Sequence, residues 1–333
     1  MKFYVRKFSF YLITLWAAIT LNFLLPRLLP GDPAKIMLAK LTQGRDATPA
    51  MIKSIERLLG GTLDGDYDVS LWQQYLEYWG NIFKWDLGVS LTKFPEPVTG
   101  LISSALPWTI TLVGLATIIS FLVGIAGGAW IGWKRGTWVD HIIPGTTLMQ
   151  SVPYFWLAML LVFLVGGGFF PTIYGYDVYT YGSGAEWSWG FAFSAIRHGL
   201  LPAATIVLSS VGGWLLGMRN MMVSTLSEDY ITTAEAKGLR PRRILMAYTV
   251  RNAVMPSIAG FAITLGFVVA GSVVMEQVFT YPGVGKLLIQ SVQNNDYALM
   301  QGVFLVITLS VLVANFLMDM FYGLIDPRAR HNA

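Results

Sequence analysis

Six apolar runs constrain this chain more than anything else in it, at residues 8–29, 107–133, 142–170, 200–222, 256–279 and 298–325. Each meets the roughly 20 residues that an α-helix needs to cross a hydrocarbon core about 30 Å thick. Lipid offers no water to an unpaired N–H or C=O, so runs of this length fold as helices that satisfy their own backbone. The expected fold is therefore an all-α membrane protein with six transmembrane helices. Composition agrees, with 54% of the 333 residues hydrophobic and 13% charged, against roughly 25% charged in a soluble domain.

The first run follows Lys2, Arg6 and Lys7, as in a signal peptide. It is longer than a typical signal core and no small-residue cleavage site follows, so it reads as a retained helix. Taking both termini as cytosolic puts thirteen Lys and Arg on the inner side, including Lys134, Arg135, Arg328, Arg330 and six between Arg219 and Arg251. The two short outer loops then hold only Arg197 and Lys286. That asymmetry is the positive-inside pattern, and the seven basic residues of segment 30–106 do not offset it, because long segments translocate regardless of charge. The same pattern explains the net charge of +4 without a nucleic-acid partner.

Segment 30–106 is expected outside. Thr48 and Pro49 are placed to open a short helix ending at Gly60 and Gly61, and a second helix is expected from Ser70 to about Phe83, presenting Trp72, Tyr75, Tyr78 and Trp79. Interfacial anchoring and packing onto helix ends accounts for these aromatics, with contact to a delivered ligand or binding protein as the alternative.

Between the fourth and fifth runs lies a polar, basic stretch from Asp229 to Arg243, reading Asp-Tyr-Ile-Thr-Thr-Ala-Glu-Ala-Lys-Gly-Leu-Arg-Pro-Arg-Arg. Ala234 and Ala236 permit close helix contact, Gly238 permits a left-handed turn, and Pro241 suits the first turn of another helix. The stretch reads as helix, turn, helix, built for a soluble partner to dock. An ordinary loop lying on the headgroups is the plainer alternative, and Lys237, Arg240, Arg242 and Arg243 are equally suited to solvent or lipid headgroups.

This stretch resembles the cytoplasmic coupling loop of permease subunits in ATP-binding-cassette (ABC) importers, specifically those of the peptide/opine/nickel subfamily. The likeness runs nearly end to end. Its motifs are Leu29-Pro-Gly-Asp-Pro-Ala34, Trp85-Asp-Leu-Gly-Val-Ser90 with Pro97 and Val98, Leu106-Pro-Trp-Thr-Ile-Thr-Leu112, Ser151-Val-Pro-Tyr-Phe155, Leu200-Leu-Pro-Ala203, Glu276 through Leu288, and Asn315 to Arg330 with Asp319 and Asp326-Pro-Arg328. The wider superfamily has Glu-Ala-Ala where this chain has Thr232, Thr233 and Ala234, a departure that points to the peptide subfamily.

The resemblance implies a type I importer permease with an N-terminal helix and external segment (1–106), a permease domain (107–325) whose coupling loop spans about 228–245, and a cytosolic tail (326–333). It implies a prokaryotic cell membrane, a second homologous permease, two ATPase subunits and an extracytoplasmic solute-binding protein. ATP and magnesium would be held by the ATPases, with no cofactor on this chain. ATPase docking is assigned to Asp229, Tyr230, Thr233, Ala234, Ala236, Lys237, Gly238 and Leu239. An outer gate is assigned to Glu276, Tyr281, Pro282 and Gly283. Peptides are the expected solute, with oligosaccharides, nickel and opines as alternatives. The outer loop holds Tyr174, Tyr176, Tyr179, Tyr181, Trp187 and Trp189, and Trp187 and Trp189 are candidate ligand-side aromatics, since flat rings suit sugar faces as well as peptide side chains.

Arg219 and Asp319, near cytosolic helix ends, are expected in helix-to-helix pairs, and Asn22, Gln150 and Ser151 in interhelical hydrogen bonds. The glycines at 124, 127, 128, 212, 213 and 217 are expected to permit close packing. Gly283-Val-Gly-Lys286 lacks the spacing of a phosphate loop. His141, His198 and His331 fall in separate segments and make no metal pair, and no nucleophile has an evident base. A secondary transporter or channel would show interrupted helices, inverted repeats or buried proton-relay charges, which are weak here, and a membrane enzyme lacks its catalytic groups.

Overall fold

The computed structural model describes residues 2–28, 70–90, 92–141, 145–146, 148, 151–167, 170–182, 188–270 and 273–325. Among these the chain is helical, with two isolated bridges, Val89 to Pro97 and Gly167 to Phe170, and no strand. The expected helix at 48–59, the motif at 29–34, Trp187, Gln150 and the tail lie outside the described residues.

Four helices have the length and apolarity to cross a membrane: α1 (Lys2–Leu28), α3 (Val98–Trp133), α5 (Trp189–Leu226) and α10 (Tyr297–Ile325). Between them lie α2 (Leu71–Phe83), α4 (Tyr154–Val165), α6 (Asp229–Ala236), α7 (Met255–Gly266), α8 (Val273–Val278) and α9 (Val284–Gln293). The third expected run thus holds α4, of 12 residues. The fifth holds α7, also of 12 residues, then a 3₁₀ turn Val268–Ala270 and α8.

Two boundaries differ from expectation. α3 begins at Val98 and runs unbroken through Pro107, so the domain boundary expected between 106 and 107 falls inside a helix. Val98, Leu101, Ile102 and Ala105 recur at helical spacing and bury against Val284, Leu287, Leu299, Val303 and Val306. That packing extends the helix beyond the apolar run, despite the backbone hydrogen bond lost and the ring clash introduced at Pro107. α5 likewise starts at Trp189, where Ser188 caps it by accepting the Phe191 N–H at 3.1 Å, and it passes through Pro202.

α3 and α5 pack along most of their lengths because α3 presents a row of glycines. A Cβ at Gly124 would collide with Trp214 Cβ, one at Gly128 would lie 2.8 Å from Met218 Cβ and closer still to the Leu215 carbonyl, and one at Gly132 would lie 2.5 Å from Met222 Cβ. Removing side chains every fourth residue lets backbones approach, the small-xxx-small logic of membrane helices. Ser120 and Ser210 hydrogen-bond across the same seam at 2.8 Å. Gly132 was not among the glycines expected to matter, whereas Gly217 meets no atom within 4 Å.

α10 closes the bundle against α1. Asn22 donates to the Gln301 carbonyl at 2.8 Å, and Gln301 Nε2 returns a bond to the Asn22 carbonyl at 3.0 Å, so the interhelical role expected for Asn22 holds. We expect Gly128→Leu to lower the thermal midpoint of the purified protein by an amount equivalent to about 1–3 kcal/mol, because α3 must retreat from α5. Gly217→Leu should leave the midpoint unchanged in the same fluorescence-based melting assay. Equal midpoints for both variants would mean the glycine row is not the seam.

Candidate functional site

At the C-terminal end of α5, Ser227 and Glu228 turn the chain into α6. One face of α6 is buried. Ile231 and Ala234 pack with Ile244, and with Trp133, Leu226, Leu239 and Tyr248 around them. The helix ends in a Schellman motif, with Gly238 N–H bonded to the Glu235 carbonyl at 2.8 Å and Leu239 N–H to the Ala234 carbonyl at 3.3 Å. Gly238 stands at φ +71°, a left-handed angle that only glycine adopts at little cost.

Pro241 then opens a helical stretch: Pro241–Arg243, a π-helical Ile244–Val250 and Arg251–Ala253. Asn252 Nδ2 donates to Tyr230 Oη at 3.0 Å and ties that stretch back to α6. Asp229, Tyr230, Thr233, Ala236, Lys237 and Gly238 are exposed. Ala234 differs from expectation. It is 3% exposed and anchors α6 inward, because its methyl fills the gap between Ile231 and Ile244. Leu239, half-buried in the same cluster, does likewise.

Arg219 on α5 pairs with Asp140, which lies in the short turn Trp138–His141 after α3, at 3.3 Å. The Gly136 N–H, then the Arg219 guanidinium, hold the Asp140 carboxyl below its ordinary pKa against the opposing cost of burial. Arg219 is thus paired with a residue of the turn after α3 and not with another membrane helix, a partner that sequence reasoning did not single out, and the Asp319 side chain lies outside the described residues.

At the opposite end, Glu276 is fully buried. Its Oε1 accepts the Thr109 hydroxyl at 2.7 Å, and its Oε2 accepts the Gly285 N–H at 2.7 Å and the Lys286 N–H at 3.1 Å. Thr109 Oγ1 in turn accepts the Val284 N–H at 2.9 Å. The carboxylate therefore caps the first turn of α9 and clips it to α3, where the helix dipole also favours negative charge. A Cβ at Gly283 would collide with the Glu276 carboxylate. Tyr281 is buried against Trp108, with rings 5.7 Å apart and nearly perpendicular. The four residues assigned to an outer gate thus share one turn. Within it Glu276 is a structural clip that holds Thr109, Gly285 and Lys286 together.

Beside it stands a second clip. Buried Asp296 caps α10 through the Leu299 N–H at 3.2 Å and accepts Ser90 Oγ at 2.5 Å, Thr92 N at 2.9 Å and Thr92 Oγ1 at 2.7 Å. An Asp immediately before an apolar run is an N-cap signal, and sequence reasoning passed over it. Of the loop aromatics, Tyr176 stacks on Trp108 at 5.6 Å and Tyr181 meets Phe191 edge-on. Tyr179 and Trp189 point outward, Trp189 being 94% exposed.

A family described as the binding-protein-dependent transport system inner membrane component matches residues 124–331. The chain belongs to that family. It is 34% identical over 99% of both chains to a di/tripeptide transport system permease protein of Pseudomonas aeruginosa. An oligopeptide transport system permease protein of Bacillus subtilis is 31% identical over 93% of each chain. A putative peptide transport system permease protein of Brucella abortus is 36% identical over 94% of this chain and 93% of its own. The resemblance drawn from the motifs therefore holds: this is a multi-pass membrane permease subunit of an ABC importer, a transport component and not a catalytic one.

For this permease we expect Glu276→Gln to destabilise the turn by about 1–3 kcal/mol, since its amide N–H₂ would face donors in place of one acceptor oxygen. The readouts are a lower melting midpoint and new proteolytic cleavage within 280–286. A variant with the native midpoint and cleavage pattern would show that the carboxylate does not hold the turn.

Proposed function

We propose that this permease forms half of the pore of an ATP-driven, binding-protein-dependent importer of di- and oligopeptides. The observation that carries the reading is the near full-length similarity to permeases named for di/tripeptide and oligopeptide transport. The second homologous permease completes the pore, two ATPase subunits holding ATP and magnesium dock on the cytosolic side, and an extracytoplasmic binding protein delivers solute. Both termini are cytosolic. Six crossings follow if α4 and the broken α7–α8 unit serve as the third and fifth, beside the four long helices.

α6 is the coupling helix in this reading. Its exposed face, Tyr230, Thr233, Ala236 and Lys237, meets the ATPase, while Ile231 and Ala234 fix it to α3, α5 and the 244–253 stretch. A lever so anchored transmits displacement without bending. ATPase closure on ATP pushes α6, opens the pore outward and admits solute from the binding protein, and hydrolysis resets the inward-facing state. The turn from Glu276 to Lys286 frames the outer mouth. Trp189, exposed at the start of α5, and Trp187 are the ligand-side aromatics in this reading, and peptide side chains suit their faces.

Ala236→Trp on the exposed face should abolish uptake of a labelled dipeptide and co-purification of the ATPases while leaving membrane abundance intact. Ala234→Arg should instead lower abundance, because a charge would enter an apolar cluster. Normal uptake by Ala236→Trp at normal abundance would remove α6 as the docking helix.

The orientation is tested separately. The chain has no cysteine, so Ser70→Cys and Arg240→Cys each supply a single thiol. An impermeant thiol reagent should label Ser70→Cys in intact cells and Arg240→Cys only after permeabilisation, and labelling of Arg240→Cys from outside would reverse the topology.

A further inference from the structure

α2 is tied to α1 by one face. Tyr75 Oη bonds Thr20 Oγ1 at 2.7 Å, Asn22 Nδ2 donates to Tyr78 Oη at 3.1 Å, and both tyrosine rings pack on Phe23, at 5.2 and 5.6 Å. Residues 20–23 lie in the C-terminal part of the apolar run 8–29, so the tether sits toward the outer end of α1.

A second face of α2 remains uncovered. Trp72, Leu76, Trp79 and Phe83, at i, i+4, i+7 and i+11, fall within an arc of roughly 60°. Trp72 is 67% exposed, Leu76 52% and Phe83 82%, with Trp79 half-buried between Tyr75 and Phe83. Gln73, Glu77 and Asn81, all exposed, take the remaining side. Water on the apolar arc would be costly for a helix of 13 residues, and within the tether's own stretch α1 leaves Leu21 and Leu24 exposed as well, as a lipid-facing helix does. The occupant that matches this position, the paired tryptophans and the sharp division between faces is phospholipid, since rings with an apolar body and a polar tip concentrate at the bilayer interface.

We propose that α2 is an interfacial anchor. Its Trp72–Leu76–Trp79–Phe83 stripe lies in the headgroup–acyl boundary at the C-terminal end of α1, and Tyr75 and Tyr78 clamp it to that helix. The anchor fixes the depth of α1 and holds segment 84–97, which Asp296 clips to α10, against the bilayer surface.

The test uses the complete importer in nanodiscs of phosphatidylethanolamine and phosphatidylglycerol, with spin labels on Trp72→Cys, Leu76→Cys and Phe83→Cys and on the polar-face controls Gln73→Cys and Glu77→Cys. The oxygen-to-nickel-chelate collision ratio should be about threefold or more higher on the stripe than on the controls, as for side chains lying about 5–10 Å into the interface. Equal ratios on both faces would mean the stripe meets water, and low collision rates with both reagents would mean a protein covers it. Either result overturns the proposal. Phe83→Cys, at the last residue of the helix, keeps the test decisive if a central variant fails to insert.

Discussion

The close approach of α3 and α5 governs the rest of the molecule. In water such a pair would be driven together by apolar burial, but lipid tails are as apolar as leucine, and association must come from packing and hydrogen bonds. Gly124, Gly128 and Gly132 supply the packing by letting Trp214, Leu215, Met218 and Met222 reach the α3 backbone. The Ser120–Ser210 bond adds about 0.6 kcal/mol by the average for interhelical bonds in membranes. Both helices, of 36 and 38 residues, are far longer than a bilayer requires, so this one seam positions elements at both ends.

The two ends are secured by different chemistry. Around α2 and α9 the fastenings are buried carboxylates, Glu276 joining α9 to α3 and Asp296 joining α10 to the chain at 90–92. Each uses the unpaired N–H groups of a helix start, which need an acceptor when buried. Around α6 the fastening is apolar, with Ile231, Ala234 and Ile244 under Trp133 and Leu226. Carboxylate clips demand fixed geometry from several donors at once. An apolar clamp fixes the face that is buried and leaves the opposite face free to carry charge.

Much of this was legible in the sequence, and what was not has identifiable causes. Run length located the four long helices, because the membrane forces that length, and Gly238 with Pro241 marked a turn whose backbone demands them. Pro107 and Leu200-Leu-Pro202 read as helix starts, since proline favours a first turn, but packing of Val98, Leu101 and Ile102 and the Ser188 cap extended both helices past them. Ala234 reads as a docking residue because small side chains permit close contact, and the sequence does not say on which side that contact lies. Glu276 reads as a gate because it is ionisable and stands near an outer helix end beside the Tyr281-Pro-Gly turn, whereas its clip partner Thr109 stands 167 residues earlier, beyond the reach of any local pattern.

The least regular backbone lies at α7–α8. α7 alone rises about 18 Å, short of a crossing, and the chain continues through the 3₁₀ turn at Val268–Ala270. Irregular backbone at membrane depth is tolerated where protein or a water-lined cavity covers it. Here Gly266 lies against Ala314 and Asn315 of α10, and Val268 packs near Gly114 of α3, where both line an apolar groove of about 460 Å³. The broken unit is therefore held against two long helices, α3 and α10, instead of standing alone in lipid. Since α6 is clamped to both Trp133 of α3 and Leu226 of α5, a push on it carries those two helices together. In the proposed importer, the relative displacement that transport requires then falls on the turn at Val268–Ala270, where α-helical bonding is interrupted.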